Sequence, residues 1–407
     1  MEPWLVRAAS ARPGHEALRT DEGSLTYAEL LGHARSAAGA LGDAREVALA
    51  LPPGRDFAVA LHGCLLAGAT AVPVDLRLPA AEQARAAAGA DLVVDGPLGG
   101  TRLADPVAHD VARTAIVVHT SGSTGEPKRV ELTYGNWLWS ALGAHTAMGL
   151  GPSERWLCAL PLSHVGGLSI LVRSAIYATT AIVHERFEAD RVAAEDHTVI
   201  SVVPTTLARL LDAGARPTRA LVGGAPVAPD LLARAAEQGV EALETYGLTE
   251  ACSQVATGGR PLFCTRLSLT GEGEIVVEGP TVAPSAGPRL HTGDLGAWSD
   301  DGRLLVIGRK ADTIVTGGEN VAPAEVEAVL EAHPAVAEAA VHGRPDPEWG
   351  EAVVAQVVLR PGATASEQAL LVFCRENLAP FQVPKALSFV ASLPRTSSGK
   401  LLRRKLI

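Results

Sequence analysis

A short segment rich in glycine and hydroxyl side chains, residues 119–128, is the part of this chain best suited to bind phosphate. Its two glycines allow a tight turn and bring backbone N–H groups close to a ligand. Successive N–H groups in such a turn form an anion-binding concavity, to which the hydroxyls add hydrogen bonds and the lysine adds a positive charge. The segment therefore predicts a site for nucleotide phosphates. Its candidate ligands are Thr120, Ser121, Gly122, Ser123, Thr124, Gly125 and Lys128.

This segment differs from the common phosphate-binding pattern in which a glycine directly precedes the lysine, because Gly125 and Lys128 are not adjacent. A flexible connection of the same composition is the alternative interpretation. An apolar run over residues 115–118 precedes the segment and predicts a buried strand. Both interpretations stay open for this segment alone, and the motifs that follow downstream distinguish them.

The bulk composition indicates a folded protein of more than one domain. The chain has 407 residues, of which 47% are hydrophobic and 20% are charged, and two or three domains are expected at this length. The net charge of −10 argues against a general nucleic-acid-binding surface. The charge does not argue against a local phosphate site.

The five cysteines are scattered and show no C-x-x-C spacing, which predicts neither a zinc site nor a disulfide framework and fits a reducing compartment. The N-terminal residues show no basic-then-apolar signal pattern. The longest mostly apolar run, residues 57–74, is interrupted by histidine, glycine and proline, and predicts a buried helix that leads into a strand. We expect a cytoplasmic protein without membrane insertion.

The elements that must position the phosphate segment alternate between strand and helix. Thr26 and Glu29 form a capping box before a helix, and helix-like and strand-like segments then follow in turn. This alternation predicts a largely parallel sheet covered by helices. The pattern changes after Gly308 to a compact α+β unit of about 100 residues. We therefore predict one domain over residues 1–308 and a second over residues 309–407.

A series of motifs in fixed order resembles the acyl-adenylate-forming superfamily, which includes acyl-CoA ligases and peptide-synthetase adenylation domains. The resemblance covers nearly the whole chain. It implies an α/β fold with a large N-terminal domain of parallel-sheet αβα layers, a small β-barrel-like subdomain and a small, mobile α+β C-terminal domain. The motifs lie at residues 120–128, 161–164, 223–226, 246–250, 291–294, 308–309, 317–320 and 394–400.

The family reaction couples a carboxylate to ATP, releases pyrophosphate and transfers the acyl group from AMP to a thiol. Negative charge gathers at the α-phosphorus, and cations and hydrogen-bond donors aimed there are the main catalytic resource. The resemblance implies Lys400 as that cation, Glu250 as the Mg²⁺ ligand and His164 as the gate of the carboxylate pocket. ATP, Mg²⁺ and coenzyme A are the implied cofactors.

The resemblance also assigns residues to the nucleotide and to coenzyme A. Asp294 would bind the ribose hydroxyls, Arg309 the ribose or phosphate, Thr249 the phosphates, and Tyr246 would stack on the adenine. The C-terminal domain would rotate about residues 309–312 and bring a coenzyme A tunnel to the site. Many relatives carry a charged residue where this chain has Ala311. The remaining nucleotide candidates are Gly223, Gly224, Ala225 and Gly247, and the tunnel candidates are Gly317, Gly318, Glu319 and Asn320.

Within the superfamily, residues 161–177, 184–187, 246–254 and 261–263 resemble the o-succinylbenzoate–CoA ligases of menaquinone synthesis. Their substrate is a dicarboxylate, so the carboxylate that is not activated needs a polar partner. This chain is shorter than typical members. The candidate partners are Ser169, Arg173, Ser253 and Gln254, and His164 is a further candidate for direct contact with the substrate.

Three alternatives stay open from the sequence. The chain could be a ligase for another aromatic or short-chain acid, or an adenylating enzyme that loads a carrier protein. From a different class, it could be a nucleotide-binding protein without turnover. The expected partners are small molecules, namely a carboxylic acid, ATP and coenzyme A, with no nucleic acid, and a homodimer is compatible with the sequence.

Overall fold

The computed structural model describes residues 1–121, 127–215, 217–395 and 401–406. The chain forms two compact units, one of residues 1–267 and 277–290 and the other of residues 268–276 and 291–407. The helices of the first unit are α1 (Trp4–Ala11), α2 (Tyr27–Ala40), α3 (Arg55–Ala67), α4 (Ala80–Ala87), α5 (Tyr134–Met148), α6 (Val165–Tyr177), α7 (Ala189–Ala194), α8 (Pro204–Asp212) and α9 (Pro229–Glu237).

Two sheets organise the first unit. The larger has the strand order β14-β13-β12-β11-β10-β8-β9-β1-β2 and the smaller the order β5-β3-β4-β6-β7. The strands are β1 (Glu16–Thr20), β2 (Gly23–Thr26), β3 (Glu46–Leu49), β4 (Thr70–Pro73), β5 (Leu92–Val94), β6 (Thr114–Ser121), β7 (Pro127–Thr133), β8 (Arg155–Cys158), β9 (Thr180–Val183), β10 (Val199–Val202), β11 (Arg219–Gly223), β12 (Glu241–Leu248), β13 (Ser253–Thr257) and β14 (Arg260–Pro261).

Both sheets are parallel in their interior and antiparallel at their edges. Strands β1, β9, β8, β10, β11 and β12 run parallel in the larger sheet, and β5, β3, β4 and β6 in the smaller. Antiparallel strands β2, β13, β14 and β7 complete the edges. Parallel sheets need helices on their faces, and this arrangement confirms the predicted α/β fold.

Local sequence signals explain where several helices begin. Thr26 caps α2 and Thr133 caps α5, each in a capping box with the residue three positions on. Helix α3 occupies the first part of the apolar run, and its ten residues from Phe57 to Leu66 are all buried. Leu61, for example, is fully excluded from solvent, and burial of such a side chain stabilises the fold by about 1.5–3 kcal/mol.

The second unit is built mainly from antiparallel strands. The parts of β15 (Arg266–Leu269), β16 (Glu274–Glu278), β17 (Leu290–Trp298) and β18 (Leu304–Arg309) that belong to it form a four-stranded sheet in that order. Its other sheet contains β19 to β23 and packs against two helices around a core that includes Val326, Val341 and Leu370. These elements are β19 (Ile314–Thr316), β20 (Glu319–Val321), α10 (Pro323–Glu331), β21 (Val336–Asp346), β22 (Gly350–Leu359), α11 (Glu367–Asn377) and β23 (Ala386–Phe389).

The compact units divide the chain earlier than residue 308, because strands β17 and β18 group with the C-terminal residues. The predicted boundary at residue 308 marks where a mobile C-terminal cap would begin to rotate. That boundary stays a prediction. Across the part of the chain that the structure describes, no helix is long and apolar enough to cross a membrane.

Candidate active site

The candidate residues of the first unit follow the carboxyl ends of parallel strands. His164 comes after β8, Gly223 ends β11, and Glu250 comes just after β12 in the larger sheet. Asp75 comes just after β4 and Thr120 lies at the end of β6 in the smaller sheet. Ligands of open parallel sheets bind outside the carboxyl ends of their strands. Two side-chain contacts connect the strand ends of the two sheets, one between Lys128 and Glu250 and one between Arg77 and His164.

The first contact connects Lys128 with Glu250. Strands β6 and β7 form a hairpin that places Lys128 opposite Thr120. The Lys128 ammonium lies 3.4 Å from the Glu250 carboxylate, with 57% of the lysine side chain and 20% of the glutamate side chain exposed. This partly solvated pair places one cation and one hard oxygen ligand side by side, which suits a phosphate and its Mg²⁺ ion.

The chain is held in a strained turn just after Glu250. Cys252 and Ser253 have positive φ angles of 54° and 86°, which cost of order 1–3 kcal/mol each in residues other than glycine. The Ser140 hydroxyl donates to the Cys252 carbonyl at 2.6 Å, and the Ala283 N–H donates to the Glu250 carbonyl at 2.7 Å. These contacts fix the position of Glu250.

Gly247 is required by the same turn. A Cβ atom on Gly247 would lie 1.9 Å from the Ser253 carbonyl oxygen, so strands β12 and β13 can pair here only if this position has no side chain. The neighbouring nucleotide candidates lie at the same strand ends. Tyr246 is half-buried in β12, Thr249 begins a short 3₁₀ helix, Gly223 pairs with Thr245, and Gly224 and Ala225 follow on the surface.

The second contact between the two sheets surrounds His164, the N-cap residue of α6. The Arg77 guanidinium donates to Asp75 through Nε at 2.8 Å and Nη2 at 2.6 Å, and Nη2 lies 3.2 Å from His164 Nε2. Because arginine has only donors, Nε2 accepts this hydrogen bond. The His164 ring is thus held at Nε2 by the Arg77 guanidinium.

Asp75 supports this arrangement as a carboxylate. Its Oδ2 atom lies 3.7 Å from His164 Nε2, and only 11% of its side chain is exposed. Partial burial raises the pKa of the Asp75 carboxyl, but hydrogen bonds from Arg77 outweigh burial and hold that pKa below its ordinary value. The carboxylate is thus charged at neutral pH and orients Arg77 toward His164.

Arg173 on α6 is the most deeply buried cation of the candidate site, with 1% of its surface exposed. Its Nη2 donates to the Ser140 hydroxyl at 3.1 Å, its Nη1 lies 3.5 Å from Gln254 Oε1, and its guanidinium lies 5.7 Å from the centre of the Trp156 ring. Among the described residues no carboxylate pairs with it, and its Nε has no hydrogen-bond partner.

Burial lowers the pKa of the Arg173 guanidinium, yet arginine stays protonated near neutral pH. A buried charge normally has an ionic partner, because desolvation otherwise costs several kcal/mol. Arg173 therefore presents a positive charge and a buried donor for which the described residues supply only neutral acceptors.

The other acyl candidates differ in what they can offer. Gln254 is buried and contacts both Arg173 and Thr257. The Ser169 hydroxyl donates to the Gly166 carbonyl of its own helix at 2.9 Å, so it is occupied locally. Ser253 begins β13 in the strained turn. The structure therefore brings Arg173 and Gln254 together, on neighbouring elements α6 and β13.

In the second unit, the structure pairs the two ribose candidates. Asp294 and Arg309 face each other across strands β17 and β18, with Arg309 Nε 2.7 Å from Asp294 Oδ1. Asp294 is buried, and its N–H donates to the Thr292 hydroxyl. Its carboxylate is thus held in one orientation.

The coenzyme A candidates form the hairpin between β19 and β20. Gly317 and Gly318 have φ angles of 59° and 87°, the geometry of a tight turn with two left-handed residues, and Glu319 and Asn320 begin β20. The Gly317 N–H donates to the Trp349 carbonyl at 2.8 Å. A Cβ atom on Gly317 would lie 2.9 Å from the Trp349 ring, so the aromatic ring packs directly on this turn.

Several predicted site residues lie outside the described part of the chain or have side chains outside it. The predictions for Gly122, Ser123, Thr124, Gly125 and Lys400, and for the side chain of Ser121, therefore stay predictions. Among the described residues, no group of three or more His, Cys, Asp or Glu side chains is placed to hold a metal ion. Mg²⁺ in nucleotide sites is commonly held by one or two carboxylates and the phosphates themselves, which Glu250 fits.

Sequence reasoning missed the residues that support the site. Arg77 contacts His164, which lies 87 residues away in the sequence, and Asp75 lies near the same ring. Ser140 contacts Arg173, which lies 33 residues away. These pairs have no spacing signal, because they arise from tertiary packing of different elements. Trp349 against Gly317 is a further example.

Comparison with known proteins agrees with this geometry. Residues 5–96 and 97–285 match the family described as AMP-binding enzyme, and residues 325–400 match the AMP-binding enzyme C-terminal domain. The 2-succinylbenzoate–CoA ligase of Bacillus licheniformis is 35% identical and aligns over 99% of this chain and 98% of its own length. That of Geobacillus kaustophilus is 40% identical over 73% of this chain and 69% of its own length.

Solved structures show the same similarity. The o-succinylbenzoate CoA synthetase of Bacillus subtilis in complex with the acyl-adenylate intermediate has a TM-score of 0.90 and 32% identity, covering 100% of this chain and 98% of that chain. The same enzyme with ATP and magnesium has a TM-score of 0.91 and 33% identity, with coverages of 100% and 99%. The chain belongs to the AMP-binding family of adenylate-forming enzymes, as its ordered motifs predict.

Proposed function

We propose that this protein joins 2-succinylbenzoate to coenzyme A at the expense of ATP, through a 2-succinylbenzoyl-AMP intermediate. The relatives and solved structures of that name support the assignment over nearly the whole chain. The observation that carries it is Arg173, a buried cation that faces only neutral acceptors among the described residues. A dicarboxylic substrate supplies the missing anion, whereas a simple monocarboxylic acid does not.

In the first half-reaction, an oxygen of the aliphatic carboxylate attacks the α-phosphorus of ATP. A new O–P bond forms, the bond to the β-phosphate oxygen breaks and pyrophosphate leaves. Lys128 and Glu250 support this step because they place a cation and a magnesium ligand together at the strand ends. Magnesium, when bound, neutralises charge on the phosphate oxygens. The hydroxyl- and glycine-rich segment 120–125 is proposed to bind the terminal phosphates, and Lys400 to neutralise charge at the reacting centre.

The remaining candidates are proposed to bind the adenine, ribose and phosphates of the nucleotide. Gly223, Gly224 and Ala225 are proposed to let the adenine lie close to the backbone, with Tyr246 against its ring and Thr249 at the phosphates. Asp294 is proposed to accept from the ribose hydroxyls, a role supported by its buried, fixed carboxylate. Its partner Arg309 is then close enough to contact the ribose or phosphate.

The substrate groups fit two parts of α6. Arg173, one helical turn after Ser169, is proposed to bind the aromatic carboxylate together with Gln254 and Ser253. His164, at the start of the same helix, is proposed to contact the carboxylate that reacts. Its contacts with Asp75 and Arg77 support a fixed orientation at this position.

In the second half-reaction, the thiol sulfur of coenzyme A attacks the acyl carbonyl. The thiol gives up its proton to solvent, a C–S bond forms, the C–O bond to AMP breaks and AMP leaves. The hairpin turn formed by Gly317, Gly318, Glu319 and Asn320 is proposed to line the path of the pantetheine chain. Residues 309–407 are proposed to act as a mobile cap, with its pivot within residues 309–312.

Pyrophosphate release tests this function. We expect release with 2-succinylbenzoate and ATP, and 2-succinylbenzoyl-CoA once coenzyme A is added. Release without thioester formation would favour a carrier protein as the acceptor, and release only with other acids would favour another substrate. No release with any acid would favour a nucleotide-binding protein without turnover. Lys400→Ala should abolish adenylate formation and leave thioester formation from supplied acyl-AMP largely intact.

Two further properties belong to this proposal. A cytoplasmic location is supported by the five free cysteines, which persist in reducing compartments, and by the use of ATP and coenzyme A. A homodimer is proposed as the oligomeric state. Sedimentation equilibrium of the purified protein tests it directly.

A further inference from the structure

Arg403, in a short 3₁₀ helix near the C-terminus, makes an unusually complete set of contacts. Its guanidinium donates to both oxygens of the Glu327 carboxylate and, through Nη1, to the Val341 carbonyl at 2.6 Å. Its Nε lies 3.2 Å from Asp312 Oδ2. Only 22% of the Arg403 side chain and 12% of that of Glu327 are exposed. All these atoms belong to the second unit.

These contacts join three separate segments. Glu327 lies on α10, Val341 lies on β21, and Asp312 ends the 3₁₀ turn that follows β18. One arginine can donate hydrogen bonds to all three segments, because its planar guanidinium carries five N–H donors in a fixed geometry. A lysine in its place could contact these groups only as a point charge.

The described residues on either side of 396–400 are held close together. Arg395 and Leu401 form an antiparallel bridge, and the Leu402 N–H donates to the Pro394 carbonyl at 2.8 Å. Arg395 also pairs with Glu338 of β21 at 2.6 Å. Arg403 is therefore one of several residues that fasten the C-terminal segment to β21.

The connector after β18 is held from two directions within the same unit. The Lys310 ammonium lies 2.6 Å from the Glu272 carboxylate, and Asp312 pairs with Arg403. Ala311 lies between them. Asp312 is consequently attached to the segment that follows Lys400, although the two positions are about 90 residues apart in the sequence.

We propose that Arg403 is a positioning residue for adenylation: through Asp312 and Glu327 it holds the residues that follow Lys400 in the sequence against the connector after β18. The inference rests on the proposed function, because it assigns Lys400 to the first half-reaction. Under this proposal, the position of Lys400 during adenylation depends on Arg403, a side chain that does not contact the substrate. A displacement of about 1 Å at a reacting group can reduce a rate by up to about a hundredfold.

The test measures the two half-reactions separately in the full-length protein. Single-turnover pyrophosphate release reports adenylation, and thioester formation from supplied 2-succinylbenzoyl-AMP reports the second step. The variants are Arg403→Lys, Arg403→Leu and Asp312→Asn. Arg303→Gln, which removes an exposed pair with Asp301 in the same unit, is the matched control.

We expect Arg403→Leu to slow adenylation by about tenfold or more and to change thioester formation by less than about twofold. Arg403→Lys should recover part of the adenylation rate, and Asp312→Asn, which keeps the contacts with Glu327, should lose about threefold. The control should match the wild type in both steps.

An equal loss in both half-reactions would overturn the proposal, because it would indicate a structural role alone. Unchanged adenylation in folded Arg403→Lys and Asp312→Asn would overturn it as well, and these two variants decide the matter if Arg403→Leu does not fold. If the wild type itself releases no pyrophosphate with 2-succinylbenzoate, the proposed substrate is wrong. The comparison is then made with the acid that does support release.

Discussion

Arg173 and Arg403 are both largely buried arginines, and their surroundings are opposite. Arg403 meets two carboxylates and a backbone carbonyl. Arg173 meets a hydroxyl, an amide and the face of an aromatic ring, and its Nε has no partner among the described residues. The first charge is satisfied by the protein, while the second is not.

This difference separates two uses of a buried charge. A pair that is complete in the protein fixes one segment to another, and loss of either partner leaves an uncompensated charge. A charge with only neutral partners costs free energy in the folded state, and a ligand anion can offset that cost. Buried sites of the second kind are therefore good candidates for ligand recognition.

The largest effect is expected on the activity of a variant without the Arg173 charge. Arg173→Met should lower kcat/KM for 2-succinylbenzoate by about a hundredfold or more, because one partner of a desolvated charge pair is removed. Steady-state pyrophosphate release measures the effect. Arg303→Gln, at an exposed pair in the other unit, is the control. An unchanged kcat/KM in Arg173→Met would exclude a substrate role for this arginine.

The same two arginines should differ in stability. Arg403→Leu should lower the free energy of unfolding by about 3 kcal/mol, because it leaves the Glu327 carboxylate without its cation. Arg173→Met removes a charge that meets no carboxylate in the described part of the chain, and should leave stability unchanged or raise it by about 1 kcal/mol. Urea unfolding measures both. A larger loss of stability in Arg173→Met than in Arg403→Leu would contradict the comparison.

His62 extends the comparison to a buried base that can lose its charge. Burial lowers the pKa of His62 to about 4, against about 6.5 in the unfolded chain. The unfolded state then binds more protons between these values. The contribution of His62 is fully present above pH 6.5 and is lost as the pH falls toward 4.

As the pH falls from 6.5 to 4, the free energy of unfolding should decrease in both proteins. We expect the decrease to be smaller in His62→Leu than in the wild type, by about 1–3 kcal/mol. Urea unfolding at a series of pH values measures the difference. Parallel pH profiles for the two proteins would show that His62 is not kept neutral by the fold.

The smallest effect on stability is expected for the exposed pair. Lys128→Gln should change the free energy of unfolding by less than about 0.5 kcal/mol, because partly solvated ion pairs contribute little. Its KM for ATP should rise if Lys128 binds phosphate. Urea unfolding and ATP titration of pyrophosphate release distinguish these effects, and an unchanged KM would argue against the phosphate role.

Local signals made much of the fold predictable. Thr26 begins helix α2 through the predicted capping box, and helix α3 occupies the first part of the apolar run that predicts a buried helix. The antiparallel strand β7 is absent from the sequence-based prediction, although Val130 and Leu132 are buried at alternate positions of this short segment. Helix α6 was also not predicted, although it carries Arg173.

The candidate site also has a part that the sequence predicts and a part that only the structure shows. The ordered motifs name Lys128 and Glu250, and the structure brings them within 3.4 Å. The surroundings of Arg173 were not predictable, because Ser140 and Gln254 belong to other elements. Its lack of a carboxylate partner among the described residues becomes visible only when the neighbours are placed.

The most direct test of the account compares 2-succinylbenzoate with the analogue that lacks the aromatic carboxylate, in the wild type and in Arg173→Met. We predict that the wild type prefers the dicarboxylate by about a hundredfold in kcat/KM and that Arg173→Met loses most of this preference, a strong coupling between residue and carboxylate. Equal use of both acids by the wild type, or the same preference in the variant, would contradict the account.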